Sequence, residues 1–337
     1  MTQRHFFSLK TYYSDMTPMI IFAQFIALYM VSRRNIRVKV MQTLYAGLQE
    51  DAVTPDKAAM VKTLTRHLDE SIEISVALIH VITEVARYAE KDARLRASKH
   101  LPTESDLNVN TKLAGNTLLW HILEHPTYKQ INAQLKPSLK IPDESIRKLY
   151  IELVSSATYK TYINTEGREK KQEKEILVYI FKDLILPNEG FTDLIEELFI
   201  HWQDDAEMIE ALILNFLNKP DTYNFLQFIS LEKRQYAQDL LIAVIDKKEI
   251  CEKLIHDKLQ NWDPERIALL DMIMMRMGIC EFLYFETIPP KVTINEYIDL
   301  AKDYSTPQSG HFVNGILDSI HKELTLENKL HKVSHKK

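Results

Sequence analysis

Apolar positions recur at helical spacing along nearly the whole chain, and most densely between 262 and 324. There Ile267, Leu270, Ile273, Met274, Met277 and Phe282 follow an i, i+3, i+4 pattern, while Ala268, Leu269, Met272, Met275, Ile279, Leu283 and Tyr284 fill the other sides. A helix that is apolar all round is a central one. The pattern therefore predicts a core helix opening at Asp263, an N-cap followed by Pro264, and running to about Phe285. Ile288, Pro289 and Pro290 end it, since prolines donate no backbone bond and the residue before a proline avoids the α region. A second helix starts near Val292, with Ile294, Tyr297, Ile298 and Ala301 as its stripe, and Ser305, Thr306 and Pro307 close it. A third carries Val313, Ile316, Leu317, Ile320 and Leu324 on one face.

Upstream, residues 56–98 hold no glycine or proline, and Leu64, Leu68, Ile72, Val76, Ile79, Ile82 and Ala86 recur every three or four positions. After a cap-and-proline start at Thr54 and Pro55, this reads as one very long helix or two nearly continuous ones. Unbroken, it reaches about 60 Å, too long for one small bundle to cover. LPTESDLNVNTK reads as a loop. Further helices are predicted near 112–124, 143–160, 169–186 and 191–217, punctuated by Pro126, Pro137, Pro142, Pro187 and Pro220. REKKQEKE at 168–175 reads as an exposed helix start. In residues 32–50, Val40, Met41, Leu44, Tyr45 and Leu48 form a core face behind Arg33, Arg34, Arg37 and Lys39, four cations with no acid among them. Sustained period-two alternation is lacking, and seven glycines and twelve prolines leave little material for hairpins, so the fold class is all-α.

Charge narrows the function. The chain carries 42 lysines and arginines against 47 acids, a formal net charge of −5, which argues against a general polyanion binder and makes any nucleic-acid contact local. Only two cysteines are present, Cys251 and Cys280, a usage that fits a reducing cytoplasm better than a disulfide framework. The apolar run from Met19 to Met30 is shorter than the roughly 20 residues a bilayer span needs. Residues 1–29 read as an over-called start or a packed leader helix, with Met30 the expected natural start.

Little points to chemistry. His121 and His125 stand four apart around Glu124 but lack a third ligand, and the glutamate is misplaced for the H-E-x-x-H zinc pattern. Glu197, His201, Asp204, Asp205, Glu207 and Glu210 around Trp202 read as a solvated acidic helix face. No glycine-rich phosphate loop, nucleophile elbow or C-x-x-C pair occurs, so neither a cofactor, a metal nor an enzymatic activity is expected.

IPPKVTINEYIDLAKDYS followed by HFVNGILD resembles the C-terminal signature of the NusB transcription antitermination family. RQYAQDLLIAVIDKKEICEKLIHDKLQNWDPERIALLD resembles the helix pair before it, and SRRNIRVKVMQTLYAGLQ resembles the family's arginine-rich first helix. The resemblance implies a NusB-like helical bundle with a first helix at 30–50, conserved helices at 225–325 and a basic tail at 326–337. Between them, 51–224 forms a helical insertion packed on the core, which compact members lack and extended members share, including the run KHLPTESDLN. It further implies an RNA-binding factor that acts with the small-subunit ribosomal protein NusE on boxA-type RNA, within the RNA polymerase antitermination complex, during ribosomal RNA synthesis. Carried over, Arg33, Arg34, Arg37 and Lys39 are the RNA-binding candidates, joined in one strip by Lys291 after the proline pair and by Gln308, where relatives often have an acid. Glu281, Tyr284, Phe285 and Glu286 are the partner-binding candidates. From Phe225 to Leu324 there are 11 basic and 16 acidic residues, so RNA binding without a basic partner is expected to be weak. Two other readings are a helical scaffold in ribosome assembly and an RNA-binding portion related to rRNA cytosine methyltransferases. The second needs a methyl-donor domain for which this chain has no strand pattern.

Overall fold

The structure, a computed structural model, describes residues 31–49, 56–259 and 267–333. The expectations for residues 1–29, for the Thr54 and Pro55 helix start and for a cap at Asp263 and Pro264 lie outside these residues. Every regular element among the described residues is helical. The fold is all-α.

Helix α1 (Arg33–Gln49) and the 41-residue helix α2 (Lys57–Ala97) set the frame. Helix α2 is a single unbroken helix, opened by Asp56, whose carboxylate accepts from Ala58 N. Its first half packs against α1 and, further along the chain, against α10 (Trp202–Asn218) and α11 (Leu231–Asp246). Its second half carries α5 (Pro126–Leu135) and α6 (Asp143–Ser155), with the rings of Tyr88 and Tyr150 4.9 Å apart. One rod thus connects the two halves of the molecule, as its length requires.

Several boundaries differ from the sequence expectations. The stretch expected as a loop after 100 holds α3 (Glu104–Leu107), built on a reciprocal Thr103 and Asp106 capping box, and α4 covers Thr117–Glu124. Helix α5 was not expected, because its apolar face is short and Pro126 reads as a breaker. In fact Pro126 occupies the first turn, where proline is tolerated, and the His125 ring accepts from Tyr128 N. The helix expected over 143–160 is two, α6 and α7 (Ala157–Asn164), since Ser156 turns extended and caps α7 through Tyr159 N. Helix α8 (Lys170–Tyr179) continues through a π-helical turn at Ile180–Ile185. The segment 191–217 is likewise broken at the extended Phe199 into α9 (Glu189–Leu198) and α10.

Helix α12 (Lys248–His256) leads to the central helix, α13 (Leu269–Tyr284). Helix α13 begins at Leu269, with Ala268 as its N-cap. Met274, Met275, Met277, Ile279 and Phe282 are inaccessible on its different sides. Helices α14 (Pro290–Tyr304) and α15 (Ser309–Leu326) close over it. The helices pack closely at Gly278, where an added Cβ would meet both Leu317 methyls at 3.0 Å and the Tyr297 ring at 3.3 Å. Only glycine fits there without a shift. Nearby, the buried free thiols Cys251 and Cys280 lie 3.7 Å apart.

A candidate RNA-binding face

Helix α1 runs antiparallel to α14, so its cations meet that helix in order: Arg34 pairs with Asp303, and Arg37 with Glu296 about two turns earlier. Their burial differs decisively. Arg37 is 2% exposed, and its Nε and Nη2 donate to the two carboxylate oxygens of Glu281 at 2.7 and 3.0 Å. Glu281 is fully enclosed and also accepts from Tyr236 OH, Tyr297 OH and Thr293 Oγ1 at 2.7–2.8 Å. Burial acts to raise its pKa, but the Arg37 charge and these donors outweigh burial and hold it below the usual carboxylate range. Burial also acts to lower the Arg37 pKa, and Glu281 outweighs it, so the guanidinium stays charged.

This corrects two expectations. Arg37 is not part of an accessible RNA strip, and Glu281 is not part of a partner surface, because each is the other's interior counter-ion. Lys39 is corrected likewise. It is 1% exposed, 2.9 Å from Asp205, which also accepts from Ser71. Asp205, His201 and Trp202, read as belonging to a solvated face, are therefore buried. The His201 ring packs edge-on against His67 at 4.4 Å.

The remaining cations stay near water. Arg33 is paired with Glu232 at 3.1 Å and lies 5.6 Å over the Tyr236 ring, and Arg34 is paired with Asp303 at 2.7 Å. Both side chains keep more than a third of their surface, so the pairs are screened and contribute about 0–1 kcal/mol each. Either carboxylate can yield to a phosphate at small cost. Beside Arg34 opens a groove of about 1030 Å³ between α1, α10 and the end of α14, lined by Asn35, Glu207, Met208, Lys302 and Tyr304 among others. Gln308 is exposed at the start of α15, and Gly310 two residues on leaves room for the Lys302 stem, as a Cβ there would stand 3.0 Å from Lys302 Cγ. Arg34, Lys302 and Gln308 thus gather at one end of α14. Lys291 does not join them: it sits in the first turn of that helix, about 18 Å along its axis from Asp303. The sequence reading missed Lys302, although it lies inside the quoted signature, and Lys233, whose ammonium donates to Val31 O beside Arg33.

The expected partner residues sit at the other end of the same patch. Tyr284 is 44% exposed, Glu286 is exposed, and Phe285 packs edge-on against Tyr236 at 5.4 Å. Tyr236 therefore contacts both Arg33 and Phe285. The basic tail crosses here: Lys332 donates to the carbonyls of Glu281 and Phe285 at 2.7 Å each, capping the end of α13. His121 and His125, considered for a metal, are otherwise engaged. His121 lies 2.8 Å from Asp221, and His125 caps α5.

Fold and face together define an all-helical protein with a local cationic edge on an acidic body. The family model for the NusB family matches residues 192–322, which takes in α10 to α14 and most of α15. The transcription antitermination protein NusB of Methylacidiphilum infernorum is 36% identical over 131 residues, 38% of this chain and 89% of that protein. That of Desulfatibacillum aliphaticivorans is 36% identical over 138 residues, 41% of this chain and 91% of that protein. With the NusB protein of Salinibacter ruber the match is 40% over 99 residues, spanning 62% of that protein's length. A solved structure of T. maritima NusB is 33% identical over 38% of this chain, with a TM-score of 0.27. The chain belongs to the NusB family. The matched residues leave out α1 to α8, so the arginines of α1 join the matched helices from outside.

Proposed function

We propose that the chain is an RNA-binding transcription antitermination factor of the cytoplasm, a binding protein and not an enzyme, that holds boxA-type RNA with NusE as its partner in the RNA polymerase antitermination complex during ribosomal RNA synthesis. Family membership supports the role. The observation that carries the RNA surface is the division of the α1 cations: Arg37 and Lys39 are sealed against buried carboxylates, whereas Arg33 and Arg34 are held only by screened pairs at the groove rim. Guanidinium groups suit unpaired RNA because they take phosphate oxygens in pairs and stack on bases.

A shared surface also follows. Arg33 and Phe285 both contact Tyr236, so a basic protein seated on Tyr284, Phe285 and Glu286 would stand beside the RNA and supply the cations this acidic core lacks. The test is Arg33→Glu with Arg34→Glu, two half-exposed changes that leave the interior intact. BoxA binding is expected to fall at least tenfold with helicity unchanged, and undiminished binding would remove the proposal.

A further inference from the structure

A second groove, of about 460 Å³, opens between helices before residue 192 and the end of α10, lined by Lys170, Lys171 and Lys174 of α8, by His121 of α4, by Asn218 of α10 and by Asp221 just after it. Its charge balance is opposite to that of the first groove. There Arg34 and Lys302 face Asp204, Glu207 and Asp303, whereas here three lysines face the single carboxylate of Asp221, already engaged by His121. The lysines are loosely held. Lys171 reaches Glu175 only at 3.8 Å with both side chains mostly in water, and Lys174 donates to the neutral Asn218 amide at 2.9 Å.

The two grooves lie on one line. Glu207 and Ala211 line the first, Asn218 lines the second, and the three positions share one face of α10 at i, i+4 and i+11, spanning about 16 Å. Two cross-links show that the segment from α8 runs antiparallel along α10: Lys174 with Asn218, and Lys182 with Glu210 at 3.8 Å. Lys182 is more than half exposed, and its partner Glu210 lies along α10 within the stretch that lines the first groove. The result is a row of cations leading from the arginine edge onto helices that the family match leaves out.

We propose that this row is a second contact for the RNA backbone, so that the segment before 192 lengthens the RNA path instead of serving only to pack the core. The inference rests on the RNA-binding reading above. Lysine ammoniums act on phosphates as point charges and carry no base preference, so the contact adds affinity and salt dependence without adding sequence specificity.

The experiment titrates a short and a long single-stranded oligouridine against the full chain and against the Lys170→Gln, Lys171→Gln, Lys174→Gln variant, over a range of salt concentrations. Neutral glutamines keep helix propensity, and circular dichroism confirms the fold. For the long strand the variant is expected to bind about tenfold more weakly or worse, with the salt slope reduced by about 2, the value for three phosphates released from a single strand. The short strand, held at the arginine edge, is expected to bind both proteins equally. Equal affinity and slope for the long strand on both proteins would overturn the inference while leaving the RNA reading intact, as would an equal loss for both strands. If neither oligonucleotide binds the unaltered chain, the RNA reading fails and this inference fails with it.

Discussion

Replacing Arg37 by methionine separates an interior structural role from an RNA-contacting one. The substitution keeps the stem volume and removes the charge, leaving Glu281 fully enclosed with three hydroxyl donors and no cation. Removing one partner of a buried ion pair costs about 3–5 kcal/mol, because the remaining charge is stranded. At a urea m-value of about 3 kcal/mol/M, that moves the unfolding midpoint down by about 1–1.7 M. The loss should also depend on pH. With Arg37 present, the depressed pKa of Glu281 gives stability that is complete above the ordinary carboxylate range and lost as pH falls through the folded value. Without Arg37, burial is opposed only by the three hydroxyl donors and acts to raise that pKa, so the variant should regain relative stability as pH falls and Glu281 takes up a proton. Arg37→Met combined with Glu281→Leu removes both charges and should cost less than the two single changes summed. Urea titrations followed by far-ultraviolet circular dichroism at several pH values measure all of this. An unchanged midpoint for Arg37→Met, with RNA affinity lost, would refute the reasoning and return Arg37 to the RNA surface.

His67 and His201, held near Lys39, Arg66, Glu70 and Asp205, are pushed down to about 4, first by burial and then by neighbouring positive charge. Unfolded imidazoles protonate near 6.5, so the chain should lose stability as pH drops from about 6.5 to about 4 and lose no more from this source below that, with His67→Leu flattening the profile in urea titrations. Gly278→Ala should lower stability by about 1–3 kcal/mol through overpacking against Leu317 and Tyr297, read as a lower urea midpoint, and an unchanged midpoint would mean the two side chains yield freely.

The helical class and the long rod were legible in the sequence because hydrophobic period and the absence of breakers act locally. The Leu64 to Ala86 series lies within a helix of 41 residues, and the apolar stripes gave α14 to within two residues and the buried face of α15. The internal breaks were not legible. Ser156 and Phe199 end helices through backbone conformations that their residue types allow but do not require. The candidate site was legible only in part, for a reason of charge pairing. Arg33, Arg34, Arg37 and Lys39 look alike as a cluster, yet Arg33 and Arg37, four apart on one face, differ because Arg33 sits at the helix start and Arg37 one turn inward on Glu281, while Lys39 points away from both toward Asp205. Which two are buried depends on acids far away in the sequence, at Asp205 and at Glu281, the latter 244 positions from Arg37. No local rule marks those carboxylates as interior, and the same distance hid Asp205 and His201, which looked like members of an acidic surface run. Lys170, Lys171 and Lys174 read as a solvated helix start, and only the packing of α8 on α10 and α4 turns them toward a groove.

The central claim is that RNA is held on a surface completed by a basic partner, and the direct measurement is a titration of boxA RNA with this chain alone and with NusE added, at several salt concentrations. Alone, two exposed arginines with Lys302 supply about three phosphate contacts and a salt slope near −2, a weak anchor. With NusE present, binding is expected to tighten by more than tenfold, over about 1.4 kcal/mol, with a steeper salt slope. Equal affinity and equal slope with and without NusE would contradict the account and show that the chain carries its complete RNA site unaided.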